Sequence, residues 1–129
     1  MTRSALIVDD HPDIRKLIRM TMKAEGFELH EADNGEDAWR IARVLYPSIV
    51  LLDAMMPGSL DGYQVCEKIK TDTTLKLRTK VIMLTARGQT ADVERGHAVG
   101  CDAYMVKPFS PLALRDLIDK LVGPPVISV

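Results

Sequence analysis

The chain has 129 residues, 47% hydrophobic and 27% charged, enough to bury one domain-sized core without metal or disulfide staples. Seventeen basic residues against eighteen acidic ones leave a net charge of −1, which excludes the electrostatic footprint of a nucleic-acid binder and any like-charged tail. No stretch approaches the roughly 18 apolar residues of a membrane span, and the N-terminal apolar run is too short for a signal peptide and ends in carboxylates, so a cytoplasmic protein is expected.

Residues 5–8, ALIV, form a short apolar run that ends in Asp9 and Asp10. Pro12 suits the first turn of a helix, and Ile14, Leu17, Ile18, Thr21 and Met22 then repeat at helical spacing until Gly26. Residues 27–32 alternate apolar and polar, as an edge strand does, and Asn34-Gly35 reads as a turn. Ala38, Ile41, Ala42 and Leu45 give the next helix one apolar face, and it stops before Pro47. The run 49–52, IVLL, is the pattern of a strand buried on both faces; it closes on a single carboxylate, Asp53.

After the loop 57–62, PGSLDG, a helix turns Val65, Cys66 and Ile69 inward. Residues 80–85, KVIMLT, predict a third buried strand ending in the hydroxyl of Thr85. Residues 89–98 make a weak helix, with Ala91, Val93 and Ala98 for a core and Gly96 inside. Residues 102–107 predict the last strand, ending in Lys107 before Pro108, and Leu114, Leu117, Ile118 and Leu121 face the core from the last helix. Gly123-Pro124-Pro125 breaks that helix, and residues 126–129 read as a frayed tail. Cys66 and Cys101 stand in no metal or redox spacing and are expected to be reduced and buried.

Five alternations of strand and helix with short connections mean an α/β fold with a parallel sheet and right-handed crossovers, helices on both faces. The four apolar strands are expected at the centre and the alternating one at an edge. In a parallel sheet the C-terminal ends of the strands share one rim, where ligands bind. That rim collects Asp9, Asp10, Asp53, Thr85 and Lys107. Clustered carboxylates repel unless a cation sits among them; Mg²⁺ takes one or two carboxylates and completes its shell with water and phosphate oxygens. Lys107 is a point charge for a phosphoryl oxygen, Thr85 a hydrogen-bond donor to another, and Asp53 a candidate nucleophile.

The segments IVDD, LLDAMMPG, LDG, VIMLTA and GCDAYMVKPF, in this order and register, resemble the receiver domain of two-component response regulators, the CheY-like type, over residues 4–122, with 123–129 a C-terminal tail. The resemblance implies a single doubly wound, flavodoxin-like (βα)5 domain with strand order 2-1-3-4-5. It implies that Asp53 accepts a phosphoryl group from a sensor histidine kinase, a histidine phosphotransfer protein or a small phosphodonor. By the same resemblance, Asp10, Asp53 and the main-chain carbonyl of Met55 ligate Mg²⁺ (or Mn²⁺), and Asp9 acts through water. Thr85 and Lys107 hold phosphoryl oxygens, Tyr104 is the aromatic switch, and Lys107–Pro108 is cis. The output face is the helix at 89–98 with the last strand and last helix, and it engages a downstream protein target or output domain or forms a phosphorylation-dependent dimer of an otherwise monomeric chain. Such a protein is a switch, not an enzyme acting on other substrates.

Two departures stand out. The loop between Pro57 and Asp61 is one residue longer than the family's usual form, and Met55 and Arg87 occupy positions that vary and bear on how fast water removes the phosphoryl group. A haloacid-dehalogenase-type phosphatase needs an Asp two residues after its nucleophile, where Met55 stands. A flavin or nucleotide binder needs a glycine-rich phosphate cradle, where the chain has the anionic DDHPD. Direct DNA binding lacks a helix-turn-helix or basic patch after residue 122. His11 is expected to face solvent, His30 and His97 to ligate nothing, and Trp39 to pack on the surface.

Overall fold

Five strands line up in one parallel sheet in the order 2-1-3-4-5, numbered along the chain. The computed structural model describes residues 3–86 and 90–124, apart from the side chains of residues 90–93. The elements alternate as β1 (Ser4–Val8), α1 (Pro12–Ala24), β2 (Glu28–Ala32), α2 (Gly35–Leu45), β3 (Ile49–Asp53), α3 (Gly62–Thr71), α4 (Leu75–Arg78), β4 (Lys80–Ala86), α5 (Thr90–Ala98), β5 (Ala103–Lys107) and α6 (Pro111–Val122). The parallel α/β sheet is the one expected from the alternation, and its strand order is that of the doubly wound flavodoxin-like architecture the resemblance implies. No helix among the described residues is long and apolar enough to cross a membrane.

Strand side chains alternate between faces, so each apolar run supplies two cores. Leu6, Val8, Val50, Leu52, Val81 and Met83 pack with Ala38 and Ala42 of α2 and Val65, Cys66 and Ile69 of α3. Ala5, Ile7, Ile49, Leu51, Ile82 and Leu84 pack with Ile18 and Met22 of α1 and Leu114 and Ile118 of α6. All five residues of β3 are buried, which is why its sequence carries no polar residue until Asp53 at its end. Truncating one of these fully buried leucines to alanine costs about 2–5 kcal/mol in such a core.

Local details differ from the sequence reading. An open five-stranded sheet has two edges, so only β1, β3 and β4 are central; β5 is the second edge strand, half-buried along most of its length. Asn34-Gly35 is a helix start rather than a turn: the Asn34 carboxamide oxygen accepts from Asp37 N–H at 2.8 Å as the N-cap of α2. That helix ends at Tyr46 in the left-handed conformation, φ 50°. The single turn α4 was not anticipated; the Asp72 carboxylate accepts from Thr74 N–H and Leu75 N–H, both at 2.9 Å, and Leu75 is buried. Lys107–Pro108 is cis, as the resemblance implied. Both cysteines are free thiols; Cys66 is buried and burial pushes it up to about 12, while Cys101 is half-buried rather than buried. The frayed tail expected at residues 126–129 lies outside the described residues.

The two termini of the domain meet. Arg3 donates from Nη1 to the carbonyls of Val122 (3.0 Å) and Gly123 (2.8 Å) at the C-terminal end of α6, and its guanidinium lies 4.4 Å over the Phe27 ring.

Candidate functional site

β1, β3, β4 and β5 run parallel, so the residues that close them reach the same rim. Asp9 follows β1 and is fully buried. Its Oδ2 accepts from Lys107 Nζ at 2.7 Å, and its Oδ1 accepts from His11 N–H at 2.8 Å and lies 3.0 Å from His11 Nδ1. Asp53 ends β3, 5% exposed; its Oδ1 accepts from Met55 N–H at 3.3 Å and lies 3.4 Å from Lys107 Nζ. Candidate ligand atoms of Asp9, Asp10, His11 and Asp53 all lie within 4.8 Å of one another. Thr85 is buried near the end of β4, one residue past the Asp53–Leu84 pairing.

Three buried oxygens in this group have no hydrogen-bond partner among the described residues: Asp10 Oδ1, Asp53 Oδ2 and Thr85 Oγ1. Leaving such groups unmatched costs about 1–3 kcal/mol each. Four other such atoms among the described residues, on Arg3, Glu25, His30 and Asp119, belong to residues outside this group. Burial, then the charge of Asp9, pushes the Asp53 carboxyl up to about 6, with Lys107 opposing the shift. The oxygen donors, their charge excess over a single lysine and their unmatched lone pairs fit a hard divalent cation such as Mg²⁺.

Lys107 therefore binds Asp9 more closely than Asp53, and Asp9 is the best satisfied of the three carboxylates. His11 is 65% exposed at its side chain, as expected, yet its Nδ1 turns inward to Asp9 and Asp10. His30 lies 3.8 Å from Glu28 and far from this cluster in register, on the edge strand β2. Trp39 is half-buried against the core beneath α2, with Arg43 and Lys68 over its ring.

The loop leading away from Asp53 is held from two sides. Glu36 in the first turn of α2 accepts from Ser59 N–H at 2.7 Å, from Ser59 Oγ and from Leu60 N–H at 3.1 Å, and these bonds draw its carboxyl below the ordinary range. A Cβ on Gly35 would overlap the Leu60 carbonyl, and one on Gly62 would overlap the Asp53 carbonyl, so both positions need glycine for close approach. Asp61 caps α3 in a reciprocal box with Gln64 and pairs with Arg95 of α5 at 3.0 Å; Arg95 also covers the Tyr63 ring at 4.3 Å. Neither Glu36 nor Arg95 was singled out from sequence. The Ser-Leu-Asp-Gly loop with a glutamate at the start of the preceding helix was the only available signal.

Tyr104 is half-buried on β5, opposite Met83, and packs on the core beside Val99 and Cys101. Its ring meets His97 edge-on at 5.4 Å between centroids, and burial pushes its phenol upward. Its hydroxyl occupies the space a Cβ on Gly96 would need. Arg87 lies outside the described residues.

The family model described as response regulator receiver domain matches residues 5–119. The chain is 42% identical over 111 residues to the transcriptional regulatory protein SrrA of Staphylococcus aureus, a match covering 86% of this chain and 44% of the relative. It thus spans less than half the length of the curated relatives it matches. Among solved structures, the chemotaxis response regulator CheY4 of Vibrio cholerae is similar with a TM-score of 0.85 and 26% identity, over 94% of this chain and 99% of that one. The receiver domain of the sensor histidine kinase PA1611 from Pseudomonas aeruginosa PAO1, solved with a magnesium ion coordinated in its active-site cleft, is similar with a TM-score of 0.85 and 25% identity, over 95% of this chain and 99% of that one.

Proposed function

Because this chain belongs to the family of response regulator receiver domains, we propose that it is an aspartyl-phosphate switch with Asp53 as the phosphoacceptor. The observation that carries the reading is the trio of buried, unmatched oxygens of Asp10, Asp53 and Thr85 beside Lys107. Asp53 Oδ2 attacks phosphorus as the bond to a phosphohistidine nitrogen or an acyl phosphate oxygen breaks, and the donor leaves with that electron pair. Lys107 neutralises charge on the incoming phosphoryl oxygens, and Thr85 Oγ donates to one of them. Asp10, Asp53 and the Met55 carbonyl would hold Mg²⁺ or Mn²⁺, with Asp9 acting through water; when bound, the ion would neutralise negative charge at the transferring group.

Receiver domains work with histidine kinases and output partners; the proposed donor here is a cytoplasmic kinase domain or a phosphotransfer protein. The proposed signal path runs from Thr85 to Tyr104 and the face of α5, β5 and α6. Two states of that face are biased by charge at Asp53. The likeness to transcriptional regulators makes control of transcription the proposed end of the signal, reached through a partner or output domain rather than by DNA contact from residues 4–122.

Acetyl phosphate with Mg²⁺ should label the protein to near one phosphoryl group per chain, and Asp53→Asn should abolish the label while folding normally. Stoichiometric labelling of Asp53→Asn would overturn the assignment.

A further inference from the structure

We propose that His11 adds a nitrogen donor to the divalent cation at the Asp53 site and tilts the choice of metal toward imidazole-preferring transition ions over Mg²⁺. This rests on the reading of the site given above and extends it to a residue outside the acidic set.

Three observations converge on His11. First, its Nδ1 stands 3.0 Å from Asp9 Oδ1 and 3.1 Å from Asp10 Oδ1. Neighbouring ligand atoms on an octahedral ion with bonds of about 2.1 Å are about 3.0 Å apart, so His11 Nδ1 and Asp10 Oδ1 already stand at ligand spacing. Second, candidate ligand atoms of Asp9, Asp10, His11 and Asp53 all lie within 4.8 Å of one another, and Asp10 Oδ1 accepts no hydrogen bond among the described residues, so the imidazole shares one cluster with an oxygen whose bonding capacity is unmatched. Third, His11 occupies the N-cap position of α1 but its side chain makes no capping bond. Ser, Thr, Asp and Asn are the side chains that serve helix starts, so capping does not account for an imidazole here.

The backbone holds the ring in reach. His11 N–H is bound to Asp9 Oδ1 at 2.8 Å, its carbonyl accepts from Arg15 N–H at 3.1 Å, and Pro12 follows as the first helical residue. Mg²⁺ favours oxygen donors and keeps its waters. Co²⁺, Ni²⁺ and Zn²⁺ gain from imidazole, so the same site discriminates among ions through one side chain.

The test uses the tag-free full chain, with Co²⁺, Ni²⁺ and Mg²⁺ as probes, in calorimetric titrations of wild type, His11→Ala and His11→Gln. Both variants should lose about tenfold or more in Ni²⁺ and Co²⁺ affinity while Mg²⁺ affinity stays within about threefold. With Co²⁺ bound, the His11 ring protons should show large paramagnetic NMR shifts that neither variant shows. An unchanged Ni²⁺-to-Mg²⁺ ratio in both variants, or a His11 ring unshifted by Co²⁺, overturns the proposal and makes His11 an ionic partner of the acidic pair only. Failure of the underlying site reading looks different: Asp53→Asn and Asp10→Asn would then leave the affinity for every ion unchanged, which also overturns the proposal.

Discussion

The Tyr104 hydroxyl lies against the Cα of Gly96, where any Cβ would overlap it. The strand β5 and the helix α5 therefore share one seat, and the glycine that weakens the helical pattern of residues 89–98 is what makes room for the ring. Gly96→Ala should destabilise the protein by about 1–3 kcal/mol in urea unfolding, the usual cost of overpacking. In a Tyr104→Ala background the same change should become neutral or stabilising, because alanine is the better helix residue. A cycle in which the two substitutions are additive would show that the ring and the glycine do not compete for space.

Stability should depend on pH through Asp53. Burial and the Asp9 charge hold its carboxyl at about 6, against an ordinary 3.8. Between these values the folded protein retains a proton that the unfolded chain has released. Its contribution is therefore favourable at low pH and is lost as pH rises toward 6. In metal-free buffer above pH 6, Asp53→Asn should exceed wild type by roughly 1–3 kcal/mol, and the gap should close below about pH 4. Denaturant titrations of both proteins across that range read it directly. Millimolar Mg²⁺ should raise the wild-type melting temperature and not that of the variant.

Lys107 is the cation nearest the buried carboxylate of Asp9, at 2.7 Å. Lys107→Met leaves that charge without its partner and should cost about 2–4 kcal/mol in EDTA. Mg²⁺ should recover more stability in the variant than in wild type, since the ion replaces part of the missing charge. Equal gains in the two proteins would mean that Lys107 and the ion do not act on the same carboxylates.

The lengthened loop should depend on Glu36. Glu36→Gln weakens the bonds to Ser59 and Leu60 without emptying the space, so amide hydrogen exchange at Ser59 and Leu60 should quicken while the core strands keep their protection. Gly35→Ala, which would drive a methyl into the Leu60 carbonyl, should displace the same loop more severely. The rate of Asp53 phosphorylation by acetyl phosphate is a second readout, because this loop begins four residues after the acceptor.

What could be read from sequence followed from periodicity. The runs at 5–8, 49–52 and 80–84 announce buried strands, and parallel pairing alone brings Asp9, Asp53, Thr85 and Lys107 to one rim. What could not be read depends on contacts between distant segments. Asn34-Gly35 has the composition of a turn, and only the approach of Leu60 shows that the glycine is there for clearance. Four residues are too few for a helical repeat, so α4 is visible only through the bonds that Asp72 accepts from Thr74 and Leu75 N–H. The inward turn of His11 and the Arg95–Asp61 pair lie in side-chain directions that spacing does not encode.

The clasp between Arg3 and the end of α6 has a mechanical consequence. The chain joins and leaves the domain at one pole, while Asp53 stands at the other, about 17 Å away along five residues of strand. Tension applied through either end loads the clasp and spares the rim. A chain permuted by linking the two clasped ends and reopened at the exposed turn around Thr73 should consequently fold to the same sheet with its acidic pole undisturbed.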